Sequence, residues 1–107
     1  MQDDSTDRAV WDVLVRAVES VAGRPVTVPL SAGTLLVADL GYESLNLIEL
    51  SYVIETLFGL AEQSLDSALT VGSLGEVLEG VLELLHDGAA RIPSPEEEAL
   101  IINQSGV

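Results

Sequence analysis

Ser44-Leu45-Asn46-Leu47-Ile48-Glu49-Leu50-Ser51-Tyr52-Val53-Ile54-Glu55-Thr56-Leu57-Phe58-Gly59 is the stretch on which the fold turns. Leu45, Leu47, Ile48, Leu50, Val53, Ile54, Leu57 and Phe58 recur at helical spacing and cover one broad face. Asn46, Glu49, Ser51 and Glu55 are left more outward, so the run predicts an amphipathic helix. Gly59 can end it in the left-handed conformation that a side chain resists.

Upstream, Gly23 to Glu43 holds Pro25, Pro29, Gly33 and Gly41, too many interruptions for a second long helix. A long structured loop is expected there, anchored on the core by Leu35, Leu36, Val37 and Leu40. Val26-Thr27-Val28 is β-branched but lies between prolines and lacks a strand to pair with, so no sheet is expected. Before the loop, Val10, Leu14, Ala17, Val18 and Val21 mark a first helix that begins after the acidic Asp4 to Asp7 and stops at Gly23 and Pro25.

Downstream, Gln63 to Ala68 reads as a short helical turn with Leu65 and Leu69 facing inward. Thr70 then offers an N-cap to a last helix whose Leu74, Val77, Leu78, Val81, Leu82 and Leu85 recur every three or four residues. Gly72, Gly75 and Gly80 weaken that helix by about 1 kcal/mol each relative to alanine, so packing must hold it. The expected architecture is all-α, a small four-helix bundle of three long helices and one short, with the long loop between the first two. Residues 1–92 form the expected domain, and residues 93–107, opening Pro93-Ser94-Pro95-Glu96-Glu97-Glu98, read as a flexible C-terminal tail, with a short docking element or a helix folding back as the alternatives.

Composition narrows the function. Eighteen acidic residues face only Arg8, Arg16, Arg24 and Arg91, a formal net charge of -14. No Lys or Arg lies between Pro25 and Ala90, where ten Asp or Glu do, so nucleic acid and anionic membranes are not expected as partners, and the acidity either implies a basic protein surface or merely keeps a small domain soluble. The absence of cysteine removes thiolate catalysis and cysteine metal sites, so any sulfur chemistry has to arrive on a cofactor. Met1-Gln2-Asp3-Asp4-Ser5 has neither a basic nor an apolar signal segment, and no charge-free run approaches a membrane span. A cytoplasmic monomer is expected.

Ser44 is the candidate working residue. A serine becomes a nucleophile only when a base takes its proton, and the single histidine, His86, falls at the far end of the last helix. The Gly-x-Ser-x-Gly pattern of a hydrolase is also missing, so a non-catalytic protein is expected. The competing reading is that Ser44 is only an N-cap, the commonest duty of a serine ahead of an apolar helical run.

Asp39-Leu40-Gly41-Tyr42-Glu43-Ser44-Leu45 resembles the prosthetic-group attachment segment of acyl carrier proteins. It is most similar to the Asp-[Ile/Leu]-Gly-Tyr-Asp-Ser-Leu form of carriers that serve dissociated bacterial polyketide synthases. Phe58-Gly59-Leu60 and Thr70-Val71-Gly72-Ser73-Leu74 resemble the end of that family's second helix and the start of its last, so the likeness runs from Leu35 to about Leu85. Glu43 stands where the family usually has Asp, Asn46 replaces a frequent acid, and Thr56 interrupts the denser acidic run of fatty acid carriers.

The resemblance implies that a phosphopantetheinyl transferase esterifies 4′-phosphopantetheine from coenzyme A to Ser44, and that the arm's thiol carries acyl groups as thioesters. It further implies that Glu43, Leu45, Glu49, Tyr52 and Glu55 meet partners, namely the transferase and a ketosynthase, acyltransferase or other pathway enzyme with a basic docking surface. Two alternatives stand beside it. One is a peptidyl or aminoacyl carrier of nonribosomal synthesis, whose Gly-Gly-[His/Asp]-Ser-[Leu/Ile] pattern differs from Gly-Tyr-Glu-Ser-Leu. The other is an unmodified acidic interaction module.

Overall fold

The computed structural model describes residues 4–22, 29–60 and 73–105. They form four helices: α1, Asp4–Ala22; α2, Ser44–Phe58; α3, Leu74–His86; and α4, Pro95–Ser105. No strand occurs among the described residues, which form a small all-helical bundle of these four helices. The expected short helix over Gln63–Ala68 and the Val26–Val28 segment lie outside the described residues. The fourth helix seen here is a different one, at the C-terminal end.

Burial follows the helical period. On α1, Val10, Val13, Leu14, Ala17, Val18 and Val21 are buried, and on α2 Leu50, Val53, Ile54, Leu57 and Phe58. On α3, Leu74, Val77 and Val81 complete the common core. Each set repeats at three or four residues, which places it on one side of its helix. At 25 cal/mol per Å2 or so of apolar surface, a fully buried Leu, Ile or Phe gains roughly 1.5–3 kcal/mol over an exposed one. Phe58, Leu14 and Leu36, all wholly buried, are therefore among the main contributors.

The loop before α2 is ordered by its own backbone. The Asp39 and Leu40 amides donate to the Leu35 carbonyl at 3.0 and 3.3 Å, and the Tyr42 amide donates to Leu36 at 3.0 Å. Asp39 closes the same turn from the other side, accepting the Leu35 amide on Oδ2 at 2.8 Å. Leu36 is buried and Leu40 half-buried, as expected of anchors, whereas Leu35 and Val37 are 40% and 52% exposed. The turn is bonded i to i+4, so Leu36 and Leu40, four residues apart, share the side that reaches the core.

The start of α3 differs from the expected Thr70 cap. The helix begins at Leu74 with Ser73 as its N-cap residue, and the Ser73 side chain makes no capping bond. Loop carbonyls do that work: the Leu74 amide donates to Thr34 at 2.9 Å and the Gly75 amide to Ala32 at 2.8 Å, beside an isolated antiparallel bridge of Leu35 with Ser73. Two of the amides that a helix start leaves unpaired are thereby satisfied.

This contact explains Gly75. A β-carbon there would lie 2.9 Å from the Ala32 carbonyl oxygen and 3.0 Å from its Cβ. Helix propensity alone favours alanine over glycine by about 1 kcal/mol. Forcing a methyl into a filled site costs about 1–3 kcal/mol, and here the obstacle is backbone. Gly75→Ala is expected to lose about 1 kcal/mol in urea unfolding, and a variant more stable than wild type would show that the 32–35 loop yields freely.

The segment after Ile92, expected as a flexible tail, is instead α4, and it packs on both α1 and α2. Its start is built locally: the Glu97 amide donates to Ser94 Oγ at 3.2 Å, and the Ser94 amide to Glu97 Oε1 at 3.3 Å. That is a reciprocal capping box with Pro95 in the first helical position, where its missing N–H is no loss. The lead-in is tied to the end of α2, since the Arg91 amide donates to the Phe58 carbonyl at 2.8 Å.

Docking is completed by a forked ion pair. Arg16 of α1 donates through Nε and Nη2 to the two carboxylate oxygens of Glu98, the Nη2 bond at 2.8 Å. The Glu98 hydrogen bond raises the Arg16 pKa above its ordinary value, with burial acting against it. Pro93 and Glu98 are buried, and Ile101 packs against the core. The packing therefore continues past the expected boundary at residue 92.

Candidate functional site

The serine loop reaches α2 through Gly41, whose φ of 71° lies in the left-handed region that glycine enters without strain. The next residue turns inward: Tyr42 is 4% exposed, and its hydroxyl donates to the Val18 carbonyl of α1 at 2.6 Å. Burial, and secondarily the charge of Glu49, pushes the Tyr42 phenol well above its usual range, so it stays a neutral donor. The start of α2 is thus held beside the end of α1.

Glu43 is the N-cap residue, with extended φ and ψ of -98° and 172°. Asn46 of the first turn reaches back, and its Oδ1 accepts the Glu43 amide at 2.9 Å. Its Nδ2 contacts the Val21 carbonyl of α1 at 3.5 Å. Ser44 is therefore the first residue inside the helix rather than its cap. Its side chain is exposed, and its hydroxyl makes no hydrogen bond among the described residues, to His86 or to any other group. The simple capping reading of Ser44 does not hold, because Glu43 and Asn46 occupy that position.

The other expected site residues sort by exposure. Glu43 and Glu49 are exposed, and Leu45 and Tyr52 are each 66% exposed. Glu55 is half-buried and accepts the Ser51 hydroxyl at 3.1 Å. Ser44, Ile48, Tyr52 and Glu55 are spaced by three or four residues, so they fall in one line down the outward side of α2, with Leu45 and Glu49 beside it.

Ile48 is the residue that sequence reasoning misplaced. It was expected on the core face, yet it is 65% exposed, between Ser44 and Tyr52. Leu45 was likewise grouped with the apolar face and is just as open. The signal lay in the helix being apolar over more of its circumference than one core contact requires: Leu50, Val53, Ile54, Leu57 and Phe58 already fill the buried side. Leu45, Ile48 and Tyr52 thus leave an apolar stripe exposed on the helix that Ser44 begins, with Glu43 and Glu49 also exposed.

Chemically, the site offers an exposed hydroxyl to which no described side chain is hydrogen-bonded as a base. The first amides of α2 lie next to Ser44 and have no carbonyl one turn earlier within the helix, an environment that accommodates a phosphate oxygen. Among the described residues no group of His, Asp and Glu is arranged to hold a metal ion. None of the described helices is long and apolar enough to cross a membrane. No protein-family model, curated protein or solved structure matches this chain.

Proposed function

We propose that this chain is an acyl carrier protein that bears 4′-phosphopantetheine on Ser44 and delivers acyl groups to the enzymes of a bacterial polyketide or related pathway. One observation supports this above the others: Ser44 stands exposed at the first position of α2 with its hydroxyl unengaged among the described residues, while Glu43 and Asn46 provide the cap that serine would ordinarily give. A modifying enzyme needs that arrangement, a hydroxyl it can reach on a helix that does not depend on it.

The residues present fit the group. Ser44 Oγ would hold its phosphate as an ester at the N-terminal end of α2. When bound, the arm supplies a thiol that carries acyl groups as thioesters, chemistry that a chain without cysteine lacks. The chain's own part is delivery and recognition. Leu45, Ile48 and Tyr52 supply apolar contact, and Glu43, Glu49 and the net charge of -14 favour a transferase, ketosynthase or acyltransferase with a basic rim. The reading makes the protein a non-catalytic partner of those enzymes.

The exposed stripe on α2 equally suits an unmodified acidic interaction module, so the test must act on Ser44 itself. Wild type and Ser44→Ala are incubated with coenzyme A and a broad-specificity phosphopantetheinyl transferase, and intact masses are compared. A gain of one arm on wild type and none on the variant is expected. Folded wild type that gains nothing would leave the interaction module as the better reading.

A further inference from the structure

The hydrogen bonds around Ser44 join two helices, and they do so through side chains rather than backbone. Tyr42 crosses to Val18 and Asn46 to Val21, both near the end of α1, from positions two residues before and two after the serine. The Asn46 side chain also holds the Glu43 amide, so one amide group links the cap of α2 to the last turn of α1. The Val21 carbonyl is one of those a helix end leaves without an intrahelical partner, and Asn46 gives it one. At 3.5 Å that contact is the weakest of the three, and the 2.6 Å Tyr42 bond is the strongest.

We infer that Tyr42 and Asn46 are positioning residues: together they bolt the Ser44 end of α2 to the C-terminal end of α1, so that the serine is presented to its modifying enzyme in one fixed orientation. The inference rests on the carrier reading for its kinetic consequence and on the hydrogen-bond geometry alone for the bolt. Ser44 has no side-chain hydrogen bond among the described residues to fix it, and the side chains of both neighbours, Glu43 and Leu45, are exposed. Orientation must then come from the residues on either side that are tied down. The docking stripe of Leu45, Ile48 and Tyr52 continues along α2, so loosening the first turn changes how the serine is aimed more than whether the partner binds. Misplacing a reacting group by about 1 Å can cost up to about a hundredfold in rate, which makes a single lost tether measurable.

Tyr42→Phe keeps the buried ring and removes only the hydroxyl. Asn46→Ala removes both contacts, and Asn46→Asp keeps an oxygen for the Glu43 amide. Two readouts are taken on each variant: amide hydrogen exchange across the chain, and kcat and KM for pantetheinylation by a transferase with coenzyme A. Tyr42→Phe and Asn46→Ala are expected to lose protection at Leu47 and its neighbours in the first turns of α2 while Val53 to Phe58 keep theirs. Their kcat is expected to fall about tenfold with KM little changed, and Asn46→Asp, which keeps the Glu43 bond but cannot donate to the Val21 carbonyl, to fall as well.

A purely structural role would instead show as faster exchange throughout the core with unchanged kcat in the folded protein, and that pattern overturns the inference. Wild-type exchange at the start of α2 in both Tyr42→Phe and Asn46→Ala overturns it as well. Should wild type itself accept no arm, the carrier reading fails and the exchange data alone decide the bolt.

Discussion

A chain ending at Ile92 is expected to unfold with about 3 kcal/mol less free energy than the full chain, read as a lower urea midpoint. A helix docked in about 99 of 100 molecules contributes roughly 2.7 kcal/mol net, since each tenfold in population is about 1.4 kcal/mol, and that figure already contains the entropy of ordering it. The structure supplies the attachments such a population needs. Pro93 is buried, Ile101 packs against the core, Arg91 bonds to the Phe58 carbonyl, and Glu98 is gripped by Arg16. Removing α4 also strips cover from the flank of α1 and α2 on which it lies. A truncated chain with the wild-type midpoint would mean that residues 93–107 behave as the loose tail their composition suggests.

Arg16→Ala and Glu98→Ala are expected to differ although they break the same pair. The Arg16 side chain is 53% exposed and that of Glu98 11%. When Glu98 is removed, the guanidinium left behind turns to water, and the loss is expected near 1 kcal/mol, as for pairs with a solvated partner. When Arg16 is removed, a carboxylate stays against the core without its cation. Breaking a buried pair in that way costs about 3–5 kcal/mol when nothing can relax. Here α4 can lift off and hydrate Glu98, so the loss is capped by the docking free energy and is expected at about 2–3 kcal/mol. Combining Arg16→Ala with the truncation should add almost nothing, because the two changes remove one contact. Equal losses from the two single substitutions would show that Glu98 is as well solvated as Arg16.

The helical core was legible because its cause is periodic. Val10 to Val21 and Leu74 to Val81 repeat every three or four residues, and they are the buried residues of α1 and α3. Gly59 was legible for a steric reason, and it caps α2 with φ of 66°. The C-terminal helix ranked below a flexible tail because its opening is acidic and carries prolines, which read as solvated chain. The same letters, Ser94-Pro95-Glu96-Glu97, also spell a capping box, and the partner that makes the helix worth forming, Arg16, sits 82 residues earlier where no local window sees it. At the candidate site, the resemblance that singles out Ser44 lies in its neighbours, and its exposure is seen only in the structure. That the cap belongs to Glu43 and Asn46 depends on backbone angles at one residue, and the exposure of Ile48 depends on which side of an almost wholly apolar helix the rest of the chain covers.

In the run from Asp39 to Asn46 nearly every position answers to the architecture. Asp39 closes a turn, Gly41 takes a left-handed φ, Tyr42 reaches α1, and Asn46 holds the Glu43 amide. Ser44 and Leu45 stand in their midst with exposed side chains that no fold requirement ties to their identity. Under mutational drift constrained by folding alone, those two positions would be the first to wander while their neighbours stayed fixed. Lineages of this chain therefore carry an internal clock for function: an invariant Ser44 and Leu45 would record selection by something outside the molecule, and a varied pair would record its absence.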